Sequence, residues 1–278
     1  MHRIRSSDKG YGRGHRFFRL HTLDHRRAGG SRVLSTGGLV ILRALFFAYT
    51  LAAWLASIVL DAQSGQMRSH FVYFTYLCHT GLLFYLLASL IHTVQLWRRP
   101  TDTLFSRMPH VLQLMHWLLF ASALLFSTVV SVMFWTMIYE KDEYRGVRRW
   151  VNASVHGTNV GFMWMDMLVG AMVFCPHWSH PLVLALVVAL YLALAYVNEA
   201  VNGWFTYDFI DYREHKALEA PILLGVLLGI VLLYYVLCGV HLLLDRYLPP
   251  RFARDRRYAD EAEEDCSDTE SLAAKGMV

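Results

Sequence analysis

Residues 220–244 read APILLGVLLGIVLLYYVLCGVHLLL, and this run contains no Asp, Glu, Lys or Arg. An α-helix needs about 20 consecutive apolar residues to cross the hydrocarbon core of a bilayer. The run exceeds that length, so it predicts a transmembrane helix. The number of similar runs elsewhere in the chain decides its fold class.

Five further stretches are apolar and close to that length. Together, the six predicted spans are residues 39–60, 71–94, 111–139, 151–174, 181–197 and 220–244. All seven prolines fall in loops or at the ends of these spans, as expected if the span interiors are unbroken helices. The sequence therefore predicts an all-α polytopic membrane protein with six transmembrane helices.

The composition of the 278 residues agrees with this fold class. Apolar residues make up 55% and charged residues 17%, whereas a soluble domain carries about 25% charged residues. This balance excludes a disordered or collagen-like chain and argues against an ordinary soluble protein. The four cysteines have no repeated spacing, so they predict neither a disulfide framework nor a zinc site. We expect no metal, no cofactor and no nucleic-acid partner.

The distribution of basic residues predicts the orientation in the membrane. Eighteen Lys and Arg lie on the face that holds both termini, and seven lie on the opposite face. Because cytoplasmic segments carry the excess of basic residues, both termini are predicted to be cytoplasmic. Arg43 lies early in the first span, and we expect its side chain to snorkel back to the cytoplasmic interface. The endoplasmic reticulum and the plasma membrane both fit such a protein.

Two terminal regions flank the predicted transmembrane domain of residues 37–247. Residues 1–36 hold nine Lys and Arg and only short apolar runs, which predicts a disordered basic cytoplasmic arm. That arm either contacts anionic lipid or serves only as a topology signal. Residues 248–278 become acidic and predict a disordered, solvated cytoplasmic tail.

Polar side chains inside the predicted spans are candidate functional residues, because such groups are costly at membrane depth. Thr75 and His79 share one face of the second span, and Asn152 and His156 share one face of the fourth. The predicted topology brings Thr75 and His156 to a similar depth near the outer surface. A threonine hydroxyl becomes a nucleophile when a base such as imidazole accepts its proton, so the pair would suit acyl transfer on an amphipathic ester. The alternative is that Thr75 bonds its own backbone and His156 joins helices.

Ester hydrolysis also needs hydrogen-bond donors for the oxyanion of the tetrahedral intermediate. Asn152, Asn198 and a protonated His79 are the candidate donors. Asp166 lies ten residues after His156, about 15 Å along a helix, which is too deep to orient that imidazole directly. We therefore expect Asp166 to be a neutral, buried group that supports the site by hydrogen bonding between helices.

Two segments carry a resemblance to a known family. Residues 71–77 read FVYFTYL, and residues 150–156 read WVNASVH. They resemble the span-opening segment and the tryptophan-leucine-asparagine-histidine-glycine-methionine-histidine segment of the androgen-induced and androgen-dependent membrane protein family. The family threonine that is regarded as the nucleophile falls on Thr75. The second family histidine, regarded as its catalytic partner, falls on His156.

The resemblance extends over roughly residues 39–245. Residues 202–209, NGWFTYDF, resemble a family loop, which makes Trp204 and Tyr207 candidates for substrate binding. The family is regarded as six-span hydrolases of fatty acid esters of hydroxy fatty acids. The resemblance therefore implies a lipid ester as substrate, the bilayer as surroundings, and catalysis by Thr75 and His156.

The sequence departs from the family pattern at three of these positions. The family's first histidine and the glycine after it are Ala153 and Ser154 here, and the loop proline is Asp208. These changes retain the threonine and the histidine regarded as catalytic, but they leave the choice of substrate open.

Two other functions remain open at this point. The related rolling-stone-like proteins of cell fusion share the general architecture, so a non-enzymatic membrane scaffold is one alternative. Haem-based electron transfer is the other, because His79 with His156, and His92 with His116, could form two axial pairs.

Overall fold

A computed structural model describes residues 24–139, 145–174, 177–211, 213 and 219–255. Within those ranges the chain is helical, and Ser31 and Gly170 form an isolated β-bridge outside any strand. The described helices of eight or more residues are α1 Thr36–Gln63, α2 Phe74–Arg98, α3 His110–Met133, α4 Gly146–Ala153, α5 Asn159–Val169, α6 Ser179–Asn202 and α7 Glu219–Tyr247. The predicted all-α fold is confirmed.

Five helical stretches are long and apolar enough to cross a bilayer. They are α1, α2, α6, the stretch His110–Ile138 that extends α3, and the stretch Leu223–Asp255 that includes most of α7. The chain is therefore a multi-pass membrane protein. The predicted fourth span falls on α4, a π turn at Ser154–Thr158 and α5, and none of these three pieces is long enough to cross a bilayer alone.

Successive helices run in opposite directions when α4, the π turn Ser154–Thr158 and α5 are counted as one unit, which gives the bundle two ends. We call the end with residues 24–35 and the starts of α1, α3 and α6 the proximal end. The distal end carries the starts of α2, α4 and α7. Aromatic and aliphatic side chains fill the space between the helices, among them the fully buried Tyr85, Phe120 and Leu124. Ile41 and Leu232 are more than half exposed, as expected for side chains that face lipid.

The predicted span limits differ from the helix ends where the backbone turns. The second span was predicted from residue 71, but α2 begins at Phe74 because Met67–His70 forms a separate helical turn and Tyr73 is extended. The fourth was predicted to residue 174, but α5 ends at Val169. Gly170 is extended there, and the amide of Ala171 donates to the carbonyl of Gly30 instead of continuing the helix.

The prediction that residues 1–36 are disordered is wrong for residues 24–35. His25–Ala28 forms a 3₁₀ turn capped by Asp24, and Arg32 is fully buried. Arg27 and Arg32 both pair with Asp245 near the end of α7. The segment is thus packed against the proximal end, because its arginines have a carboxylate partner that local sequence does not reveal. Residues 1–23 lie outside the described residues.

The tail prediction needs the same correction at its start. Residues 251–255 are helical, the amide of Arg251 donates to the carbonyl of Ser31, and Phe252 packs under the guanidinium of Arg26. The remaining predicted tail, residues 256–278, lies outside the described residues.

Gly29 allows the segment to pack closely on α2. A Cβ atom there would lie 2.6 Å from the carbonyl oxygen of His92, and backbone cannot move aside cheaply. We expect Gly29→Ala to destabilise the protein by about 1–3 kcal/mol, the usual range for overpacking. Thermal unfolding in detergent would measure this loss of stability. Gly161→Ala is the matched control, because a Cβ atom there meets nothing within 4 Å; equal stability of both variants would contradict the close packing.

Arg43 lies between α1, α2 and α5, and its predicted snorkelling to the interface is wrong. Its side chain is fully buried and forms a bidentate ion pair with Asp166, with Nε–Oδ1 at 2.8 Å and Nη2–Oδ2 at 3.2 Å. Arg43 Nη1 also donates to the hydroxyl of Thr93 and to the carbonyls of Ala28 and Ser89. These partners accept the hydrogen bonds of the guanidinium inside the protein, so the side chain does not extend to the membrane interface.

Asp166 is correspondingly an ionised partner and not the neutral group that we expected. A guanidinium is charged at every physiological pH, and it contacts both carboxylate oxygens. Tyr85 of α2 also donates its hydroxyl to Asp166 Oδ2 at 2.5 Å. The group thus joins three helices through one fully satisfied buried network.

Candidate functional site

Thr75 lies in the first turn of α2, on the wall of a large apolar cavity. The cavity has a volume of about 690 Å³ and extends between α3, α6 and α7. Its lining is almost wholly apolar, which is the character of a site for a hydrocarbon chain. We call it the large cavity. Thr75 is 8% exposed and is one of its few polar residues.

The start of α2 places backbone amides beside the Thr75 hydroxyl. No side chain caps the helix at Tyr73, and the first intrahelical bond of this turn is from the amide of Leu77 to the carbonyl of Tyr73. The amides of Phe74 and Thr75 precede that bond and take no part in the intrahelical hydrogen bonds. Such a turn is suited to stabilise a developing negative charge.

Three further hydroxyls surround the start of α2. The hydroxyl of Tyr207 lies beside the hydroxyl and the amide of Thr75. The hydroxyl of Tyr191 lies beside the amide of Phe74, Thr206 and Tyr207. We call Thr75, Tyr191, Thr206 and Tyr207 the hydroxyl cluster. Burial raises the pKa of Tyr207 to about 12, so this residue stays protonated at neutral pH and acts as a neutral hydrogen-bonding group.

His156 lies in the π turn Ser154–Thr158, which packs against α2. Its Nδ1 is 3.0 Å from the carbonyl oxygen of Asn152. A carbonyl only accepts, so Nδ1 carries the hydrogen and Nε2 keeps its lone pair. The imidazole therefore has the tautomer that a general base requires.

Phe134 connects the histidine to the large cavity. Its ring stacks on the imidazole of His156 with centroids 3.7 Å apart and an angle of 15°, and it also lines the cavity that Thr75 lines. Phe134 begins a second π turn, Phe134–Ile138, at the end of α3. Single π turns inside helices are frequent at functional sites. Here two of them bring an aromatic ring and an imidazole together.

Asn152 and His156 also share a small polar cavity of about 50 Å³ with Asp61. Asp61 pairs with His70 at 2.7 Å. Asn152 thus lies on the polar side of the imidazole, whereas Thr75 lies on the large apolar cavity. Among the predicted oxyanion donors, Asn152 is the one that shares a cavity with His156.

His79 and Asn198 have other partners. His79 Nδ1 is 3.0 Å from Asn159 Oδ1, and the backbone of Thr50 lies beside the imidazole. Asn198 donates to the carbonyl of Trp204 at 2.9 Å and accepts from Asn202 at 2.8 Å. These contacts favour a role for His79 in joining helices and for Asn198 in holding the loop.

The loop after α6 covers the start of α2. Gly203 ends α6 in the left-handed conformation with φ +77°, which glycine adopts readily. The rings of Trp204 and Tyr207 then pack on Tyr73, with centroids 6.2 Å and 5.9 Å away. Of the two loop residues predicted to bind substrate, Tyr207 lines the large cavity and Trp204 packs behind it.

His92 and His116, one of the two histidine pairs considered for haem, leave no room for a macrocycle between them. His92 and His116 are in direct edge contact with centroids 4.6 Å apart, and Phe105 packs on both rings. The free space beside His92 is about 10 Å³. Axial ligands must lie on opposite faces of a macrocycle, so this pair is a packing contact. In the described part of the chain, no group of three His, Cys, Asp or Glu side chains is arranged to hold a metal ion.

The chain matches a known protein family over most of its length. The sequence profile described as FAR-17a/AIG1-like protein matches residues 36–242, which include α1 to α6 and most of α7. The chain belongs to the FAR-17a/AIG1-like family. The resemblance to the androgen-induced family is thereby confirmed. No curated protein and no solved structure matches the chain.

The departures from the FAR-17a/AIG1-like pattern lie beside the site. Ala153, at the position of a family histidine, is exposed and does not line the large cavity. Ser154, at the position of a family glycine, is buried and bonds the hydroxyl of Tyr49 on α1 at 2.8 Å. Asp208, at the position of the loop proline, follows Tyr207 on the exposed side of the loop. The three changes therefore leave the walls of the large cavity intact.

Sequence reasoning missed Tyr191, Thr206 and Phe134. Tyr191 lies in a long apolar run and Phe134 in another, where aromatic residues are expected as packing. A signal for Thr206 was present, because it directly precedes Tyr207 in the polar loop. Only the folded bundle shows that these residues meet at the start of α2.

Proposed function

We propose that this protein is a membrane-embedded hydrolase of lipid esters that uses Thr75 as nucleophile and His156 as general base. One observation carries the proposal. Thr75 lines a large apolar cavity whose wall residue Phe134 stacks on an imidazole with a free Nε2. A hydroxyl, a base and a hydrocarbon site thus occupy one region of the bundle. Family membership is compatible with this activity.

The proposed reaction has two stages. In the first, the Thr75 oxygen attacks the ester carbonyl carbon while His156 Nε2 accepts the hydroxyl proton. The carbon–oxygen bond to the alcohol then breaks, and the imidazolium returns that proton to the leaving oxygen. In the second, water attacks the acyl-threonine, His156 accepts a water proton, and Thr75 leaves with it. The products are one acid and one alcohol.

The environment supports the charge changes in these stages. The amides of Phe74 and Thr75 at the start of α2 and the neutral hydroxyl of Tyr207 lie beside the Thr75 hydroxyl. Preorganised donors of this kind stabilise the oxyanion more strongly in an apolar site than in water. Asn152 remains a further candidate donor through its position beside His156.

The cavity supports a lipid as substrate. Its lining follows α6 from Leu182 to Leu192, about 15 Å at 1.5 Å per residue. That length is half of the roughly 30 Å hydrocarbon core and corresponds to one leaflet. Leu186 and Leu224 line the cavity and are each more than half exposed, which supports entry from the bilayer. Fatty acid esters of hydroxy fatty acids, or similar lipids, are the proposed substrates.

We further propose that the chain crosses the membrane six times and that both termini are cytoplasmic. The membrane would be that of the endoplasmic reticulum or the plasma membrane. Residues 151–169 would form the fourth of these spans, in addition to the five long helical stretches. They are helical throughout, if the π turn is included, and their 19 residues correspond to about 28 Å. With this orientation Thr75 and His156 lie toward the non-cytoplasmic leaflet.

Labelling with a fluorophosphonate tests the activated hydroxyl directly. We expect the purified wild-type protein to be labelled at Thr75, identified by mass spectrometry of the modified peptide. Thr75→Ala and His156→Ala should both lose the label, because one lacks the nucleophile and the other its base. Thr136→Ala is the control, since that threonine is exposed and bonds only its own backbone.

Two other labelling results would contradict the proposal. Labelling that persists in Thr75→Ala would assign the reactive hydroxyl to another residue. Folded wild-type protein that takes no label would favour the non-enzymatic scaffold.

A further inference from the structure

A second apolar cavity lies on the other side of α6. It has a volume of about 320 Å³ and is bounded by α2, α3 and α6. Phe74 and Tyr191 line both this second cavity and the large cavity, and their ring centroids are 4.7 Å apart. The two rings form the partition between the cavities. The hydroxyl cluster therefore lies where the two apolar spaces meet.

Two hydroxyls at this junction lack a proper partner. The oxygens of Tyr191 and Thr206 are shielded from solvent, and neither makes a hydrogen bond of acceptable geometry. Thr206 as a whole is only 5% exposed. Thr206, Tyr207 and the amide of Phe74 lie beside the Tyr191 hydroxyl. Buried hydroxyls without partners are rare and costly, so a ligand oxygen is the expected missing partner.

Both cavities reach the lipid-exposed surface of the bundle. Leu186 and Leu227 line the large cavity, and Leu190 and Leu194 line the second cavity; all four are exposed. A lipid with two chains could therefore enter from the bilayer with one chain on each side of Tyr191. Its polar linkage would then lie at the hydroxyl cluster, beside Thr75.

We propose that Tyr191 donates a hydrogen bond to the carbonyl oxygen of an ester with a long apolar chain on both sides, one chain in each cavity. This inference rests on the proposed function and adds to it a hydrogen-bond donor and a site for the second chain. As Thr75 attacks, the carbonyl oxygen gains negative charge and its hydrogen bond from Tyr191 strengthens. No proton is transferred from Tyr191, and the proton of Thr75 still goes to His156.

Gly81 offers a way to fill the second cavity alone. It lines that cavity, and a Cβ atom there meets nothing within 4 Å. We expect Gly81→Leu to lower kcat/KM by about 10-fold or more for the palmitate ester of a long-chain secondary alcohol. Hydrolysis of methyl palmitate, which needs only one cavity, should change less than twofold. Gly161→Leu is the matched control, because Gly161 lies in open space outside both cavities.

Tyr191→Phe tests the hydrogen bond without changing the shape of the ring. Because the hydroxyl has no good partner in the protein, its removal should leave thermal stability unchanged. We expect kcat for both esters to fall by about 100-fold with little change in KM, as for loss of one oxyanion donor. Tyr235→Phe on the exposed side of α7 is the control. Wild-type kcat in Tyr191→Phe would overturn the role of Tyr191, and equal losses of both esters in Gly81→Leu would overturn the second-chain site.

A ligand that cannot be cleaved separates this inference from the proposed function. A two-chain ketone with methylene in place of the ester oxygen keeps the carbonyl but cannot be hydrolysed. Its binding, measured as a thermal shift, should persist in Thr75→Ala and weaken in Gly81→Leu and Tyr191→Phe. That result would support the site even if no ester were hydrolysed. Equal binding by all four proteins would overturn it.

Discussion

Asp166→Asn is expected to lower the free energy of unfolding by about 3–5 kcal/mol, the cost of leaving a buried charge without its partner. Arg43 is fully buried and bonds both oxygens of Asp166. The amide of asparagine would remove the negative charge but leave the guanidinium in place. Thermal or denaturant-induced unfolding of the purified protein in detergent measures the loss.

A surface pair provides the control for this prediction. Asp102 pairs with Arg107, whose side chain is 62% exposed. Exposed pairs contribute only about 0–1 kcal/mol, so Asp102→Asn should leave stability nearly unchanged. Arg43→Met combined with Asp166→Leu should recover part of the loss, because no unpaired charge remains. If the Asp166→Asn protein proved as stable as the Asp102→Asn protein, the result would contradict the buried ion pair.

The same network shows why sequence reasoning was wrong about Arg43. An arginine near the start of a span usually reaches the interface, and nothing close to it in sequence suggests a partner. Asp166 lies 123 residues away, near the end of another helix. Considered separately, each charged residue was interpreted from its own position in its span and not from a partner on another helix. Only the pairing of α1 with α5 turns two costly groups into one satisfied contact.

The apolar runs, in contrast, predicted the helices well. A bilayer imposes a length and an apolar character on each span, so α1, α6 and α7 could be located from composition alone. Their ends were less predictable, because Gly170 and Tyr73 end or precede helices through backbone contacts that no local pattern encodes. The two π turns were also missed. A π turn adds one residue to a helical turn without any distinctive residue type.

The site was predicted in part for similar reasons. Spacing of three or four residues identified which polar groups share a helix face, and this led to Thr75 and His156. It could not show that Phe134 stacks on the imidazole or that Tyr191 lies above the start of α2. Those contacts depend on how α3 and α6 pack against α2. Aromatic residues in apolar runs give no advance sign of such a role.

Thr75→Ala is expected to lower kcat/KM for long-chain ester hydrolysis by about 1,000-fold or more. Removal of a nucleophile that acts together with a base leaves only the catalysis supplied by binding and oxyanion donors. Thr75 is a small residue in the first turn of α2, and its hydroxyl lies beside that of Tyr207. The variant should therefore fold normally, and thermal unfolding would verify this.

Thr75→Ser distinguishes a nucleophile from a packing residue. Serine keeps the attacking oxygen and loses only a methyl group, so much of the wild-type rate should remain. Thr75→Val is the matched control, because valine keeps the shape of threonine but has no hydroxyl. This variant should be as inactive as Thr75→Ala. If Thr75→Val stays active while Thr75→Ser fails, the methyl group matters and the hydroxyl does not.

His156→Gln tests whether His156 and Thr75 act together in the reaction. It should lose activity to the same extent as Thr75→Ala, and the double variant should be no worse than either single one. Residues that act as one catalytic unit show such non-additive losses, whereas independent binding contributions multiply. Multiplied losses in the double variant would mean that Thr75 and His156 act separately. Matching losses would tie the hydroxyl on the large cavity to the imidazole behind Phe134.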